Sequence, residues 1–500
     1  MLGFWPQVAY NVERPYQILC MRIVAVTVRR PALLMTACGL LSLAIYIGAF
    51  VAPYNLYRLA RLGSPADLGE ISGYSFSACA LYVGAVTVLF GLYLLALRWA
   101  WRLEGWQPCL WVIALGMAAA VILTQVYPYA ATDVFLYIVR GRVLGIYGRN
   151  SMLVPPGAFP TAPYLPFQSE WTRTPSPYGP LWEWTAAALA RLGDGSLVRS
   201  LLVFKAFGFL NYLGCMALII AILRTGRAGR ILPGLLAFAW NPLVLLETHA
   251  MAHNDLYMVL FILLALWFWQ RKRYLWVLVA LALGGLIKYV PFLLLPPTWV
   301  LMRRRLPEGL WWRYVLLGGL ISIVLAVLLM IPLWPGWAQW ELTRQMDRIH
   351  TSGAAWVIIV LGRFIPQALA FTIGLWLMRI SFALAWVIIL VQVARRDGSL
   401  AQGYYHLLYA WLALGAVAFG HWYVSWLIAL IPLIPGRELR GRTISFAWCG
   451  LLSMAIYTFG IGLQFWRLHL IAVPFTFVLP FLLSRGLMRL FPDPDSETGG

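Results

Sequence analysis

Apolar runs of about 15–25 residues recur along this sequence, separated by short breaks rich in arginine or in proline and glycine. Of the 500 residues, 62% are hydrophobic and 11% are charged, whereas an ordinary soluble domain is about one quarter charged. An apolar run of this length crosses a bilayer as a helix, because a helix satisfies its own backbone hydrogen bonds in lipid. The pattern therefore predicts an all-α, polytopic integral membrane protein.

The formal net charge of +20 does not indicate nucleic acid binding. The arginines stand in short clusters between the apolar runs, as the positive-inside rule requires, and form no continuous basic stretch. The cluster before the first run places the N-terminus in the cytoplasm. The six cysteines lack metal-binding spacing, so we expect small, mostly buried side chains and no disulfide framework.

The apolar runs predict about 14 membrane-spanning or membrane-embedded helices, with both chain ends in the cytoplasm. The run 275–302 is divided near Lys288 and Pro291, because one unbroken helix would carry the arginines at 303–305 to the outer side. The predicted spans are 32–52, 76–98, 109–126, 199–223, 231–248, 255–270, 275–302 in two pieces, 314–335, 371–394, 404–420, 423–436, 443–464 and 470–484. The predicted segments are a cytoplasmic N-terminus at 1–31, a core at 32–302, C-terminal transmembrane helices at 303–490 and a cytoplasmic tail at 491–500.

The outer loop 127–198 is the longest polar break, and it holds an acid directly beside apolar sequence. We predict two short interfacial helices in it, at 133–147 and 177–192. Asp133, Tyr137 and Arg140 are spaced at i, i+4 and i+7 and so share one face of the first helix. This face suits binding of a sugar and a phosphate; the alternative is an ordinary ion pair on an interfacial helix.

A second polar group follows the predicted span 231–248. Its members are Glu247, His249, His253, Asn254 and Asp255. The two histidines have i, i+4 spacing, but a zinc protease motif needs glutamate directly after the first histidine, where this chain has Ala250. We therefore predict no metal site and favour hydrogen bonding to sugar hydroxyls or phosphate over simple polar capping of two helices.

Further candidates lie at predicted outer ends of spans. Lys288 stands in an apolar run, where it must pair with an anion or extend to the interface, and we expect it to contact a lipid phosphate. The segment TPSPYGPLW from Thr174, which includes Tyr178, predicts a rigid turn that either lines the substrate cavity or only stiffens the loop. Arg348 and His421 fall in outer loops and are also predicted to bind substrate.

Four ordered motifs between about residues 130 and 296 resemble one enzyme family. They are TDVFLYIVRGRVLGIYGRN from Thr132, TPSPYGPL at 174–181, NPLVLLETHAMAHND at 241–255 and KYVPFLLLP at 288–296. Together they resemble the polyprenyl-phosphomannose-dependent α-1,6-mannosyltransferases, which are membrane glycosyltransferases of the GT-C type. The turn GRNSMLVPP departs from the family pattern, since no Pro-Tyr pair follows its asparagine, and leaves the acceptor open.

The resemblance implies a GT-C fold with a catalytic outer loop at 127–198. It implies transfer of a sugar, mannose in that family, from a polyprenyl-phosphate donor to a hydroxyl of a glycolipid or glycan acceptor. Asp133 would be the base of an inverting reaction. His253, Asn254 and Asp255 would line the site, and Lys288 would approach the donor phosphate. A lipid donor implies no cofactor and no divalent metal, contact with membrane lipids, and an active site on the outer face of the plasma membrane.

Three alternatives stay open at this point. One is a non-catalytic assembly partner, against which the acids Asp133 and Asp255 argue mildly. A lipid or polysaccharide transporter (flippase) without transferase chemistry would carry charges near mid-membrane and an internal repeat, and the sequence shows no convincing example of either. Within the enzyme class, the sequence does not separate mannose from sugars such as arabinose or glucose. Nor does it decide whether Asp133 acts alone or with one of four other acids, Asp255, Glu170, Glu247 and Asp347.

Overall fold

All regular secondary structure in the described part of the chain is helical, apart from isolated bridge residues, namely the pair Asn55 and Val126 and the residue Ala418. The structure is a computed structural model that describes residues 30–63, 67–130, 133–167, 171–225, 230–337, 340–341, 349, 351–395, 399–460 and 463–488. The helices are α1 (Arg30–Val51), α2 (Leu56–Leu59), α3 (Leu68–Ser72), α4 (Phe76–Ala100), α5 (Trp106–Leu123), α6 (Asp133–Gly145), α7 (Pro180–Leu192), α8 (Leu197–Arg224), α9 (Ile231–Ala239), α10 (Pro242–Ala250), α11 (Asp255–Gln270), α12 (Tyr274–Gly285), α13 (Leu295–Arg305), α14 (Trp311–Leu333), α15 (Gly353–Leu361), α16 (Gln367–Arg395), α17 (Leu400–Ala410), α18 (Val424–Ile428), α19 (Arg437–Phe459), α20 (Phe465–Phe477) and α21 (Leu479–Leu487).

Seven segments in the described ranges are long and apolar enough to cross a membrane. They are α1, α4, α5, α8, α14, α16 and the stretch Trp466–Leu487 formed by α20 and α21. The pair α9 and α10 adds an eighth candidate that is bent by 49°, and α11 and α12 are shorter apolar helices. The all-α, membrane-type architecture predicted from the sequence is confirmed, whereas the predicted number of about 14 helices is not confirmed.

The helices divide into a buried group and a peripheral group. α9 to α12 are lined with fully buried leucine, valine and alanine, whereas Leu316, Leu320, Ile323 and Leu328 of α14 are each more than half exposed. Large exposed apolar side chains also run along α16. Such surfaces suit contact with lipid. The buried core, which positions the polar groups, is formed by α9 to α12 in the middle of the chain.

The predicted spans 404–420 and 423–436 are shorter helices in the structure. α17 ends at Ala410, a π-helical turn covers Trp411–Gly415, residues 416–420 follow outside any helix, and α18 has five residues. Glycine has low helix propensity, which weakens the run at its two glycines. The segment is held by Thr351 and Ser352, whose hydroxyls donate to the carbonyls of Phe419 and Val417. The interruption delivers His421 to the polar cluster described below.

α6 and α7 are the two helices predicted in the loop 127–198, and they pack through glycines. A Cβ at Gly141 would lie 2.4 Å from the carbonyl oxygen of Ala186, and one at Gly145 would lie 2.5 Å from that of Ala187. The G-x-x-x-G spacing puts both glycines on one helix face, so the two backbones approach closely. Since α6 begins with Asp133, this contact fixes where that acid lies relative to α7.

α11 and α12 form an antiparallel hairpin that returns the chain to its starting end. α12 ends at Gly285 and α13 begins at Leu295, so the helix break predicted near Lys288 and Pro291 is confirmed. Proline lacks the backbone donor that a continuing helix needs. The break brings Lys288 back beside Asp255, the first residue of α11.

Replacing Gly141 with alanine is expected to push α6 away from α7 and to lower the free energy of unfolding by about 1–3 kcal/mol, as overpacking does. Thermal unfolding of the purified protein in detergent measures the change. Gly84→Ala in α4 is the matched control, because no atom lies within 4 Å of a Cβ at that position. A Gly141→Ala protein that unfolds at the same temperature as the wild type would contradict the close helix contact.

Candidate active site

His253 lies at the centre of a chain of acid and imidazole groups. Its Nε2 is 3.5 Å from Asp133 Oδ2, and its Nδ1 is 3.1 Å from Glu247 Oε2. The other Glu247 oxygen, Oε1, is 3.0 Å from His421 Nε2. The Trp422 ring stacks on His253, with ring centroids 4.1 Å apart and planes inclined by 15°. These contacts join α6, the end of α10 and a segment from the C-terminal half at one point.

The backbone around Glu247 and His253 departs from regular helix in three places. Asn241 caps α10 by accepting the N–H groups of Leu243 and Val244, and Pro242 occupies the first helical position, so α10 starts afresh at an angle to α9. The last residues of α10, Leu246–Ala250, form a π-helical turn, a feature frequent at functional sites. Ala252 follows with φ of +60°, a conformation that is strained for alanine. These departures aim Glu247 and His253 at each other.

The two carboxylates around His253 set the charges of the cluster. Burial by itself would lower the pKa of His253, but its contacts with Asp133 and Glu247 raise that pKa to about 9. Burial by itself would raise the pKa of Asp133, but His253, followed by Lys288 and Arg140, brings it below its ordinary value. At neutral pH His253 is therefore protonated and Asp133 is ionised.

The predicted shared face of α6 is observed, and it contacts two other parts of the site. The Tyr137 hydroxyl donates to Asn254 Oδ1 at 3.3 Å and lies 3.4 Å from the Tyr178 hydroxyl. The Arg140 guanidinium donates to the backbone and side-chain oxygens of Thr174 at 3.2 and 3.0 Å. One helix face thus ties the turn at Asn254 to the segment 174–179.

Lys288 is paired with an acid of the same cluster. Its Nζ lies 2.8 Å from Asp255 Oδ1, and Trp426 Nε1 donates to the same oxygen at 2.6 Å. The ammonium also lies 5.8 Å from the ring centre of Tyr178 and 5.2 Å from that of Tyr423. Of the two options that the sequence left for Lys288, an anion or extension to the interface, the structure shows the anion, Asp255. Contact with a donor phosphate stays a prediction.

Not every predicted site residue joins this cluster. His249 is fully buried, and its ring packs against Phe209 and Tyr212 of α8, with the Tyr212 centroid 4.9 Å away. None of the described contacts of His249 reaches Asp133 or His253. Three further residues named from the sequence lie outside the described residues, namely Arg348, Glu170 and Asp347.

Several residues that complete the site were not predicted from the sequence. Trp422, Tyr423 and Trp426 come from the segment HWYVSW, which begins at His421 and was interpreted as the start of a transmembrane span. Three aromatic residues beside a histidine at a glycine-rich break were the available signal. Glu183, in the first turn of α7, was missed because it stands alone among apolar residues.

Within the cluster, the two acids Asp133 and Glu247 contact the imidazoles of His253 and His421 rather than converging with them on a shared point. Both ring nitrogens of His253 face carboxylate oxygens, and both oxygens of Glu247 face imidazoles. Among the described residues, no group of three or more histidine, cysteine or acidic side chains is arranged to hold a metal ion. The described geometry thus suits proton transfer and hydrogen bonding.

Residues 36–304 match the family described as alpha-(1->6)-mannopyranosyltransferase, N-terminal domain. The match spans more than half of the 500 residues. The chain belongs to this family. The suspected mannosyltransferase resemblance is thereby confirmed, and the match supports an enzyme with a sugar donor and an acceptor. The matched range of this mannosyltransferase holds Asp133, Glu247 and His253, whereas His421 and its aromatic neighbours lie beyond it. A comparison with curated proteins found no match.

Removing one partner of the Lys288–Asp255 pair is expected to lower the free energy of unfolding more than removing both partners. Lys288→Met or Asp255→Asn alone leaves a buried charge without its counterion, which lowers the free energy of unfolding by about 3–5 kcal/mol. The double variant is expected to lie much nearer the wild type, because neither charge remains. Thermal unfolding of all four proteins measures the coupling; a double variant whose loss equals the sum of the two single losses would contradict it.

Proposed function

We propose that this mannosyltransferase moves mannose from a polyprenyl-phosphate donor to a hydroxyl of a glycolipid or glycan at the outer face of the plasma membrane. The long apolar helices support a membrane-embedded donor, since such a donor keeps its isoprenoid chain in the bilayer. The arginine clusters between spans support the outer location of the polar cluster through the positive-inside rule. We further propose inversion at the anomeric carbon, because one attack replaces the phosphate directly.

The assignment of Asp133 as general base depends on its exposure. Its side chain keeps 26% of its surface accessible, whereas those of Glu247 and Asp255 keep 4% and 3%. A base must reach the proton that it removes, and among these three acids only Asp133 is accessible to an incoming hydroxyl. Its ion pair with His253 also holds it in the carboxylate form that accepts a proton.

The proposed step needs one proton transfer and one displacement. The Asp133 carboxylate removes the proton of the acceptor hydroxyl while the hydroxyl oxygen attacks the anomeric carbon. The bond from that carbon to the phosphate oxygen breaks, and the lipid phosphate leaves with the electron pair. The ammonium of Lys288 lies in the same cluster and would bind the phosphate of the donor, both before and while the bond to the sugar breaks.

Two buried polar atoms beside this cluster support a sugar ligand. Asn254 Nδ2 and Asp255 Oδ2 have no hydrogen-bond partner within the described structure. The amide oxygen of Asn254 already accepts from Tyr137, which leaves the amide nitrogen as a donor. A buried polar atom without a partner costs about 1–3 kcal/mol. We propose that the site opens when substrate binds, so that this donor and this acceptor on adjacent residues pair with two hydroxyls of one sugar.

Asp133→Asn is expected to reduce transfer of radiolabelled mannose from polyprenyl phosphomannose to a membrane glycolipid extract by about 10²–10⁴-fold, the usual contribution of a general base. Glu104→Gln, which changes an exposed acid outside the cluster, is the control. Thermal unfolding shows whether each variant is folded.

Each other outcome of this experiment points to a different function. A folded Asp133→Asn protein with wild-type activity would move the role of base elsewhere, with Asp255 the next acid to test. A wild type that transfers no mannose would contradict the donor assignment. Movement of the lipid across vesicles without transfer would then favour the flippase alternative.

The acid limb of the pH profile of kcat/KM is expected to move to higher pH in His253→Gln. Removing this cation lets the Asp133 carboxylate hold its proton to a higher pH, and the protonated acid cannot act as a base. His249→Gln is the matched control, because that buried histidine contacts Phe209 and Tyr212 rather than Asp133. An unchanged acid limb in an active His253→Gln protein would contradict the proposed pairing.

A further inference from the structure

Glu183 is a buried acid that the proposed reaction does not use. It lies in the first turn of α7 with its side chain 1% exposed. Ser151 Oγ donates to its Oε2 and Ser176 Oγ donates to its Oε1, both at 2.5 Å, and both serines are fully buried. Two hydrogen bonds to one carboxylate are charge-assisted and therefore strong. Burying an ionisable group costs free energy unless it is paired and hydrogen-bonded, so packing alone does not account for Glu183 at this position.

The hydrogen bond from Ser176 connects Glu183 to the active site. Ser176 Oγ, while donating to Glu183, also accepts the backbone N–H of Tyr178 at 3.4 Å. The Tyr178 ring lies over the ammonium of Lys288, and its hydroxyl meets that of Tyr137. The Tyr178 carbonyl accepts the hydroxyl of Tyr289, the residue after Lys288. The position of Tyr178 is thus set by Ser176 on one side and by the chain around Lys288 on the other.

The neighbouring glycine makes the same segment sensitive to small displacements. Gly179 N–H donates to the Ile287 carbonyl at 3.0 Å, and a Cβ at Gly179 would lie 2.2 Å from the Leu286 carbonyl oxygen. The segment 174–179 therefore lies directly against the backbone that leads to Lys288. Because this contact leaves no free space, a displacement of Ser176 also displaces Tyr178.

Ser151, the other serine that contacts Glu183, makes two hydrogen bonds in this region. Ser151 donates its hydroxyl to Glu183, and its carbonyl also accepts the backbone N–H of Ser176 at 2.8 Å. Loss of the Ser151 hydroxyl leaves that backbone hydrogen bond in place. Loss of the Ser176 hydroxyl removes both the link to Glu183 and the acceptor for the Tyr178 N–H. The two serines thus offer a matched pair of substitutions at one carboxylate.

Glu183 also balances the buried cation of α6. The guanidinium of Arg140 is attracted by Glu183 and donates to both oxygens of Thr174, at the start of the same segment. A buried cation needs a nearby anion. Arg140 and Glu183 thus hold the segment 174–179 at two points, Thr174 and Ser176.

We propose that Glu183 is a positioning residue, which acts through Ser176 to hold Tyr178 against the Lys288 ammonium and thereby sets the affinity for the lipid phosphate donor. This inference depends on the function proposed above. Glu183 itself does not touch substrate. Its effect is expected in the binding of the donor, since Lys288 is the cation placed for the phosphate, whereas Asp133 and its contact with His253 stay unchanged.

The test compares Ser176→Ala with Ser151→Ala in the full-length protein, with polyprenyl phosphomannose as the varied substrate. Ser176→Ala is expected to raise the donor KM about tenfold, with kcat within about twofold of the wild type. Ser151→Ala is expected to leave the donor KM within about twofold. Each variant loses one hydrogen bond to Glu183, so thermal unfolding shows whether their stabilities are comparable.

The outcomes separate this inference from the proposed function. A wild type that transfers mannose, together with a folded Ser176→Ala protein of unchanged donor KM, would overturn the inference alone. Equal increases of KM in both serine variants would also overturn it, because the route through Tyr178 would not be distinguished. A wild type without transfer would overturn both. If Ser176→Ala does not fold, Glu183→Gln keeps the side-chain volume and is expected to raise the donor KM; an unchanged KM there would overturn the inference.

Discussion

The ion pairs around His253 are the interaction on which the rest of the site depends. One imidazolium lies between two carboxylates, Asp133 at 3.5 Å and Glu247 at 3.1 Å, in a largely buried setting. Buried charges are costly unless they are paired, so each member stays ionised only while the others are in place. The bent start of α10, its π-helical end and the strained Ala252 all serve to bring Glu247 and His253 to this point. The irregular backbone near Glu247 and His253 thus accompanies an Asp133 that is ionised and partly exposed.

The cluster also explains why the C-terminal half belongs to the functional unit. The family match ends at residue 304, yet His421 contacts Glu247, Trp422 stacks on His253 and Trp426 donates to Asp255. These three residues follow a break between α17 and α18 that a continuous membrane span would not allow. The matched N-terminal region thus carries the acids, and the C-terminal half covers them with aromatic rings and a second imidazole.

Much of this architecture follows from local sequence, and the remainder depends on distant contacts. Helical spacing was enough to place Asp133, Tyr137 and Arg140 on one face. The helix break near Lys288 was predictable from a proline and from the arginines at 303–305, which one unbroken helix would carry to the outer side. The contacts from the C-terminal half were not predictable, because Trp426 and Asp255, for example, lie 171 positions apart and an apolar run does not show which span it faces. The short helices α17 and α18 were predicted as full spans, because hydropathy measures composition and not where tertiary contacts end a helix.

The most direct measurement is a cryo-electron microscopy structure of the full-length protein with a non-hydrolysable phosphonate analogue of polyprenyl phosphomannose. We expect the anomeric carbon to face the accessible side of Asp133, with the phosphonate against Lys288 and the isoprenoid chain among the apolar helices. We also expect His253 to keep its contacts with Asp133 and Glu247 when the analogue is bound. A sugar bound away from Asp133, or a phosphonate held by the arginines at the opposite ends of the spans, would contradict the role of Asp133 as base.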